Sequence, residues 1–260
     1  MNTNLDQIPN DSQSIVKLLG LFIDEKLTLK SHVQAVLKKV NKSLFFLSRV
    51  RNTLNSDAKK LLYFAHVHSH LIYCLPLLTL LYKTDLNQLC RIQRKAIRVV
   101  FNLKQRTSCM NYFHELGTFP LDVLLEKEIL KTMQSVHSYS KPKEIAHFFK
   151  YKHVTHPYNF RENLVFDIPL IRSVRLSCSP IFSFPFTFNH FPENFKEIME
   201  RKEYMEKLDL FHISKFPNLY CNKNLCKFCH YFQFKKRQLQ FAQIILKSSH
   251  IIGISFCRLM

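Results

Sequence analysis

Glycine and tryptophan are nearly missing from this sequence, which has three glycines and no tryptophan among 260 residues. An all-β fold needs many tight turns, and such turns favour glycine because it tolerates positive φ. The scarcity of glycine therefore predicts a mainly α-helical protein. Because 47% of the residues are apolar, the chain can build a buried core, and a wholly disordered chain is not favoured.

Acidic residues are scarce as well. The chain has nineteen Asp and Glu against thirty-eight Lys and Arg, a formal charge of +19. Sixteen of the basic residues but only two acids lie between Lys26 and Arg106, so this segment alone carries +14. So much positive charge predicts an anionic partner, with nucleic acid as the leading candidate. No nucleophile arrangement points to a small-molecule substrate, and the sequence does not indicate an oligomeric state.

Long apolar runs and a secretion signal are also lacking. The longest apolar run, Leu71 to Tyr82, has twelve residues and contains Pro76, whereas a membrane-spanning helix needs roughly 20. Residues 1–14 are polar, so we expect an intracellular protein, cytoplasmic or nuclear and not secreted. In a reducing compartment the eight cysteines would not form disulfides. Membrane binding is not favoured.

Hydrophobic periodicity predicts one hairpin and several amphipathic helices in the first half of the chain. Residues 15–27 are rich in β-forming side chains and suggest a short strand or hairpin. Apolar residues at three- and four-residue steps then predict helices over Lys30–Arg51, from a cap at Ser56 or Asp57 to Tyr73, from Thr84 or Asp85 to Val100, and over Asp122–Ser138. Pro76 is expected to kink or end the second of these helices.

The second half is less regular. Residues 153–192 are rich in Pro, Phe and Ser and predict loops with short strands, and the alternating Phe182, Phe184, Phe186 and Phe188 favour a half-buried strand over a base-stacking surface. Residues 192–210 predict further helix. The expected organisation is a disordered tail over 1–14, a hairpin with helices over 15–140, a second region over 141–230 that ends in a cysteine-rich knot, and an uncertain tail over 231–260.

Two basic rows are candidate phosphate-binding sites. Arg91, Arg94, Lys95 and Arg98 recur at three- and four-residue steps, and on a helix they would form one ridge about two turns long. Lys38, Lys39 and Lys42 occupy the polar side of the first predicted helix. The alternative for the row from Arg91 to Arg98 is a solvated polar face.

A cysteine cluster is the candidate metal site. Cys221, Cys226, Cys229 and His230 have the ligand types and short spacing that a tetrahedral zinc requires, with His212 as another possible fourth ligand. The alternative is three reduced surface cysteines, because only one Cys-x2-Cys pair is present. His66, His68 and His70 lack an accompanying acid, and a packed or exposed role is favoured for them over metal binding.

Several sequence blocks resemble, in order, the C-terminal part of non-LTR (LINE- or jockey-like) retrotransposon reverse transcriptases. The block from Val16 to Asp24, followed by Leu27, Thr28 and His32, is similar to the family's "YLGV-ID-x-x-L" block. Later blocks that match are 42–44, 61–63, 70–74, 82–87 and 92–98. A terminal block matches at Arg172, Ser179, Phe182, Pro185, Asn189, Pro192 and Lys196. Two tryptophans usual in the family are replaced, one of them by Phe188.

The resemblance implies a specific architecture and role. It implies that Leu18, Leu19 and Gly20 belong to a hairpin that lies next to the primer terminus, and that a thumb-like helical bundle follows. It implies RNA or an RNA–DNA hybrid as the partner. The family's catalytic carboxylates would precede residue 15, and no Asp-Asp pair occurs in this sequence, so we expect the chain alone to be inactive as a polymerase. The alternative is a zinc-containing helical interaction protein without polymerase ancestry.

Overall fold

The computed structural model describes residues 15–139, 142–152 and 165–215. The described residues fall into two compact units, one formed by 15–109 with 119–208 and the other by 110–118 with 209–215. The predicted mainly α-helical class with an N-terminal β-hairpin is confirmed. The predicted boundary near residue 140 stays a prediction, as do the tails over 1–14 and 231–260, which lie outside the described residues.

The hairpin consists of two antiparallel strands, β1 (Ile15–Leu18) and β2 (Leu21–Asp24). It is followed by α1 (Lys30–Val50), which agrees with the predicted helix to within one residue. The inward stripe of α1 is formed by buried side chains at three- and four-residue steps, namely Val33, Val36, Val40, Leu44 and Leu47. This stripe packs against α4 (Lys83–Val100), so the hairpin, α1 and α4 share one core.

The helical segment between α1 and α4 is not one continuous α-helix. It comprises α2 (Ser56–Tyr63), a π-helical turn over Phe64–His68 and α3 (Ser69–Ile72). Asn55 caps α2 by accepting a hydrogen bond from the amide of Ala58 at 2.8 Å, so the prediction of Ser56 or Asp57 as the cap was wrong. The helix ends before Pro76, which lies in a 3-10 helix over Leu75–Leu80.

The remaining helices of the first unit are α6 (Leu121–Tyr139), α7 (Lys143–Ala146), α8 (Val174–Ser177), α9 (Pro180–Asn189), α10 (Glu193–Lys196) and α11 (Arg201–Lys215), the last of which runs on into the second unit. Helix α6 matches its prediction and packs against α4, α9 and the 3-10 helix. The second unit contains α5 (Met110–Leu116), which was not predicted.

The predicted phenylalanine strand was wrong, because Phe182 to Phe188 lie within the helix α9. Even-numbered positions include the i, i+4 pair Phe184 and Phe188, which are both buried, whereas Phe186 is exposed. On a helix, residues two apart lie on opposite sides and residues four apart on the same side, so four alternating phenylalanines divide between a buried and an exposed face and did not require a strand. Pro180 occupies the first helical position, where its missing N–H costs nothing.

Candidate nucleic-acid interface

The outer face of α4 carries the first predicted basic row. Arg91, Arg94 and Lys95 are exposed, and Arg98 is partly exposed. The opposite face is buried and is formed by Leu89, Ile92, Gln93, Ala96, Ile97 and Val100. The single acid of this helix, Asp85, is buried at its first turn, so α4 itself places no carboxylate among the four cations.

Two of the four basic side chains of this row donate hydrogen bonds to backbone carbonyls. Arg94 donates through Nε to the carbonyl of Cys90 at 3.2 Å, and Arg98 donates through Nε to that of Thr107 at 3.2 Å. Both acceptors are backbone oxygens, which hold the guanidinium groups without cancelling their charge. Within the described ranges, none of the four forms an ion pair. The row is therefore able to bind anions.

The second predicted row lies on the exposed side of α1. Lys38, Lys39 and Lys42 are all exposed, and α1 contains no acidic residue at all. Because the buried stripe of α1 packs against α4, the two basic helices belong to the same rigid core. Neither row depends on a loop for its position, which favours a surface that keeps its shape when a polyanion approaches.

The hairpin tip predicted to lie near a primer end is strongly exposed. Leu18 is 55% exposed and Leu19 is 88% exposed. Leu19 and Gly20 both have positive φ, 49° and 86°, as the two central residues of a type I′ turn require. The hydroxyl of Tyr73, which follows α3, donates to the carbonyl of Leu19. This contact ties the tip to the helical core.

The connection between β2 and α1 is held by hydrogen bonds to the side chain of Asp24. Its buried carboxylate accepts hydrogen bonds from the amide of Thr28 at 3.1 Å, from the hydroxyl of Thr28 at 2.8 Å and from the amide of Leu29 at 2.8 Å. Burial by itself raises the pKa of Asp24, but these hydrogen bonds outweigh that effect, so the net pKa lies below the ordinary value of 3.8. Asp24 thereby fixes the start of the basic helix α1.

Two further positioning residues were not recognised in the sequence. Buried Gln93 donates to the carbonyl of Phe119 at 3.2 Å and accepts from the amide of Leu121 at 2.8 Å, which joins α4 to the start of α6. Arg175 donates to the carbonyls of Leu80, at 2.7 Å, and of Leu27. Polar residues that bond distant backbone groups leave no periodic signal, which is why sequence patterns do not reveal them.

The terminal sequence block, from Arg172 to Lys196, includes helix α9. Asn189 pairs with the backbone of Phe166, accepting from its amide at 3.0 Å and donating to its carbonyl at 2.8 Å. Buried Lys196 donates to the carbonyl of Asn189 at 3.1 Å, and Arg172 is exposed. Asn189 and Lys196 therefore have structural roles, whereas Arg172 lies on the surface.

The predicted zinc ligands Cys221, Cys226, Cys229 and His230 lie outside the described residues, and the site stays a prediction. Over the described ranges no group of three or more His, Cys, Asp or Glu side chains is arranged to hold a metal ion. His68 is partly buried and packs against the rings of Tyr63 and Phe64, at centroid distances of 5.9 and 5.1 Å, while His66 is exposed.

Comparison of the chain with protein-family models, with curated proteins and with solved structures found no match. Among the described residues, no helix has both the length and the apolar character needed to cross a membrane.

Proposed function

We propose that the helical core binds nucleic acid through its phosphate backbone and that the chain is the non-catalytic, C-terminal part of a retrotransposon reverse transcriptase. One observation carries the binding proposal. The row Arg91, Arg94, Lys95 and Arg98 is held on a rigid helix, is exposed except for the partly exposed Arg98, and has no acid of α4 among its members. Such a row attracts phosphates and releases the counterions that surround them.

Backbone binding is favoured over the reading of a base sequence. The two exposed rows consist of Lys and Arg, and side chains such as Asn or Gln, which pair with adenine edges, do not dominate them. Phosphate contacts position a protein on a nucleic acid but carry no sequence information. A protein that holds a template and primer of any sequence needs contacts of this kind.

The polymerase ancestry rests on the order of the sequence blocks described above, and it favours RNA or an RNA–DNA hybrid as the partner. An A-form duplex presents its phosphates and 2′-hydroxyls to a protein far more readily than its base edges, which again suits basic helices. The exposed hairpin tip at Leu18, Leu19 and Gly20 is proposed to lie near the primer end, because it is anchored to the same core as both basic rows.

The salt dependence of binding tests this proposal. Replacing Arg94 and Arg98 with Gln removes two charges and keeps the helix propensity nearly unchanged. On duplex DNA each neutralised phosphate contributes about −0.9 to the slope of log K against log salt. We therefore expect the double variant to show a slope that is shallower by about two units, with similar losses of affinity for unrelated sequences, in fluorescence anisotropy titrations.

A matched control pair is available on α11. Lys202 and Lys207 lie among acidic residues, and Lys207 forms an ion pair with Glu203 at 2.7 Å. Replacing both lysines with Gln removes the same formal charge but should change the slope much less, because nearby carboxylates already balance these cations. Equal slope changes for the two pairs would mean that binding follows net charge alone, and the proposed interface would be wrong.

A further inference from the structure

Two adjacent phenylalanines of α1 are exposed to solvent. Phe45 is 61% exposed and Phe46 is 51% exposed, while Leu44 and Leu47 beside them fill the core. The fold therefore gains little from burial of these two rings. Exposed aromatic side chains next to one another on a rigid helix are unusual enough to suggest a binding role.

The surroundings of Phe45 indicate what kind of molecule it binds. Lys38, Lys42, Phe45 and Arg49 follow one another at steps of four, three and four residues, so they form a single row on the outer face of α1 that is about 16 Å long. The guanidinium carbon of Arg49 lies 4.7 Å from the centre of the Phe45 ring. The row thus combines positive charges with a ring that is largely exposed to solvent.

We infer that this row binds a single-stranded segment of nucleic acid, with an unpaired base stacked on Phe45 and neighbouring phosphates bound by Lys38 and Lys42. Phe46 offers a second ring one position further along the helix. The inference rests on the proposed function and specifies it, since bases within a duplex are stacked on each other and leave no face for an aromatic ring. Stacking between a base and an aromatic side chain accepts any base, which suits a site that does not read sequence.

Charge complementarity favours this occupant over a second copy of the chain. Lys38, Lys42 and Arg49 surround the exposed rings, and α1 has no acidic residue. Two such faces brought together would place like charges opposite one another, which is unfavourable. A strand of phosphates with unpaired bases instead matches both the cations and the rings.

The test compares two single strands of equal length and charge, an oligo-dT strand and an abasic strand with the same sugar-phosphate backbone. Phe45→Ala should weaken binding to the oligo-dT strand roughly tenfold and leave binding to the abasic strand nearly unchanged. Phe45→Trp should retain binding because it keeps an aromatic face. Leu61→Ala is the matched control, because Leu61 is 70% exposed on α2 and its loss removes apolar surface without removing a ring. Circular dichroism melts establish that each variant is folded.

Equal losses on both strands, or no loss on either, would overturn the stacking site. If Phe45→Ala instead abolishes self-association in sedimentation experiments and leaves oligo-dT binding intact, the rings form an interface between copies and the inference is wrong. Its failure is distinct from that of the proposed function. A salt slope unchanged from the parent in the Arg94 and Arg98 variant on duplex would refute phosphate binding by the row on α4, whereas the strand comparison addresses Phe45 alone.

Discussion

Asp24 shows how one side chain determines where a basic helix begins. The residues that follow it include Leu27 and Leu29, which both have positive φ, 52° and 56°. A left-handed backbone at a leucine costs about 1–2 kcal/mol, so this segment needs compensating interactions. The three hydrogen bonds to the Asp24 carboxylate provide them, and α1 starts at the next residue, Lys30.

We predict that Asp24→Asn lowers the free energy of unfolding by about 1–3 kcal/mol at neutral pH, because an amide supplies one acceptor oxygen where the carboxylate supplies two with full charge. Since the folded pKa of Asp24 is depressed, its contribution is present above the unfolded value near 3.8 and is lost as the pH falls through the folded value. Urea unfolding of the parent and the variant from pH 7 to pH 3 measures this.

The difference in free energy of unfolding between the parent and Asp24→Asn should therefore be constant near neutral pH and shrink below about pH 4. Asp57→Asn, at an exposed position in the first turn of α2, is the control and should have a small effect. A stability difference that stays the same down to pH 3 would show that the charge on Asp24 contributes nothing.

Residues on helical surfaces were the most predictable part of the interface. Arg91, Arg94 and Lys95 lie on the outer face of α4 as their spacing predicted, because the apolar stripe opposite them fixes the orientation of the helix. Residues that act through distant backbone groups were not predictable. Gln93 stood within a block that resembles the reverse transcriptases, yet its partners lie 26 and 28 residues further along the chain.

Gln93 joins helix α4 to the start of α6, because its side-chain amide both donates and accepts a hydrogen bond. We predict that Gln93→Met, which keeps the size of the side chain, lowers the free energy of unfolding by about 2–4 kcal/mol, because it leaves the carbonyl of Phe119 and the amide of Leu121 without this partner. Thermal and urea unfolding would measure the loss.

Gln88→Met provides the comparison within the same helix. Gln88 is half-buried, and among the described residues its amide donates to Asp85 alone, at 3.4 Å. We expect Gln88→Met to lower the free energy of unfolding by well under half as much as Gln93→Met does. Similar losses at the two positions would mean that the effect arises from α4 itself and not from its connection to α6.

Helices with a long apolar stripe were predicted to within a residue or two, as α1 and α6 show. Shorter or interrupted elements were not. The π-helical turn at Phe64–His68 places Tyr63, Val67 and Leu71 in the core at four-residue steps, and such steps look the same as those of an ordinary helix. The cap of α2 differed from its prediction because Asn55, Ser56 and Asp57 are all good capping residues.

For the whole molecule, we predict that the purified chain does not extend a primer on an RNA template when it is given nucleotides and Mg²⁺ or Mn²⁺. Two-metal nucleotidyl transfer needs clustered carboxylates, and the sequence contains no adjacent pair of aspartates. A gel-based extension assay, with a retroviral reverse transcriptase as positive control, measures this. Template-dependent extension by protein free of contaminating polymerase would contradict the proposal that the chain is a non-catalytic part of a reverse transcriptase.

The uneven charge described at the outset has a kinetic consequence. The segment that contains both basic helices carries +14 of the total +19, which leaves only +5 for all other residues. A polyanion therefore attracts one part of the chain more strongly than the rest, before any contact forms. If nucleic acid is the partner, as proposed, this field should orient encounters so that many collisions begin at the segment that carries the two basic helices. The association rate should be high in dilute buffer and fall steeply as added ions shorten the range of the field.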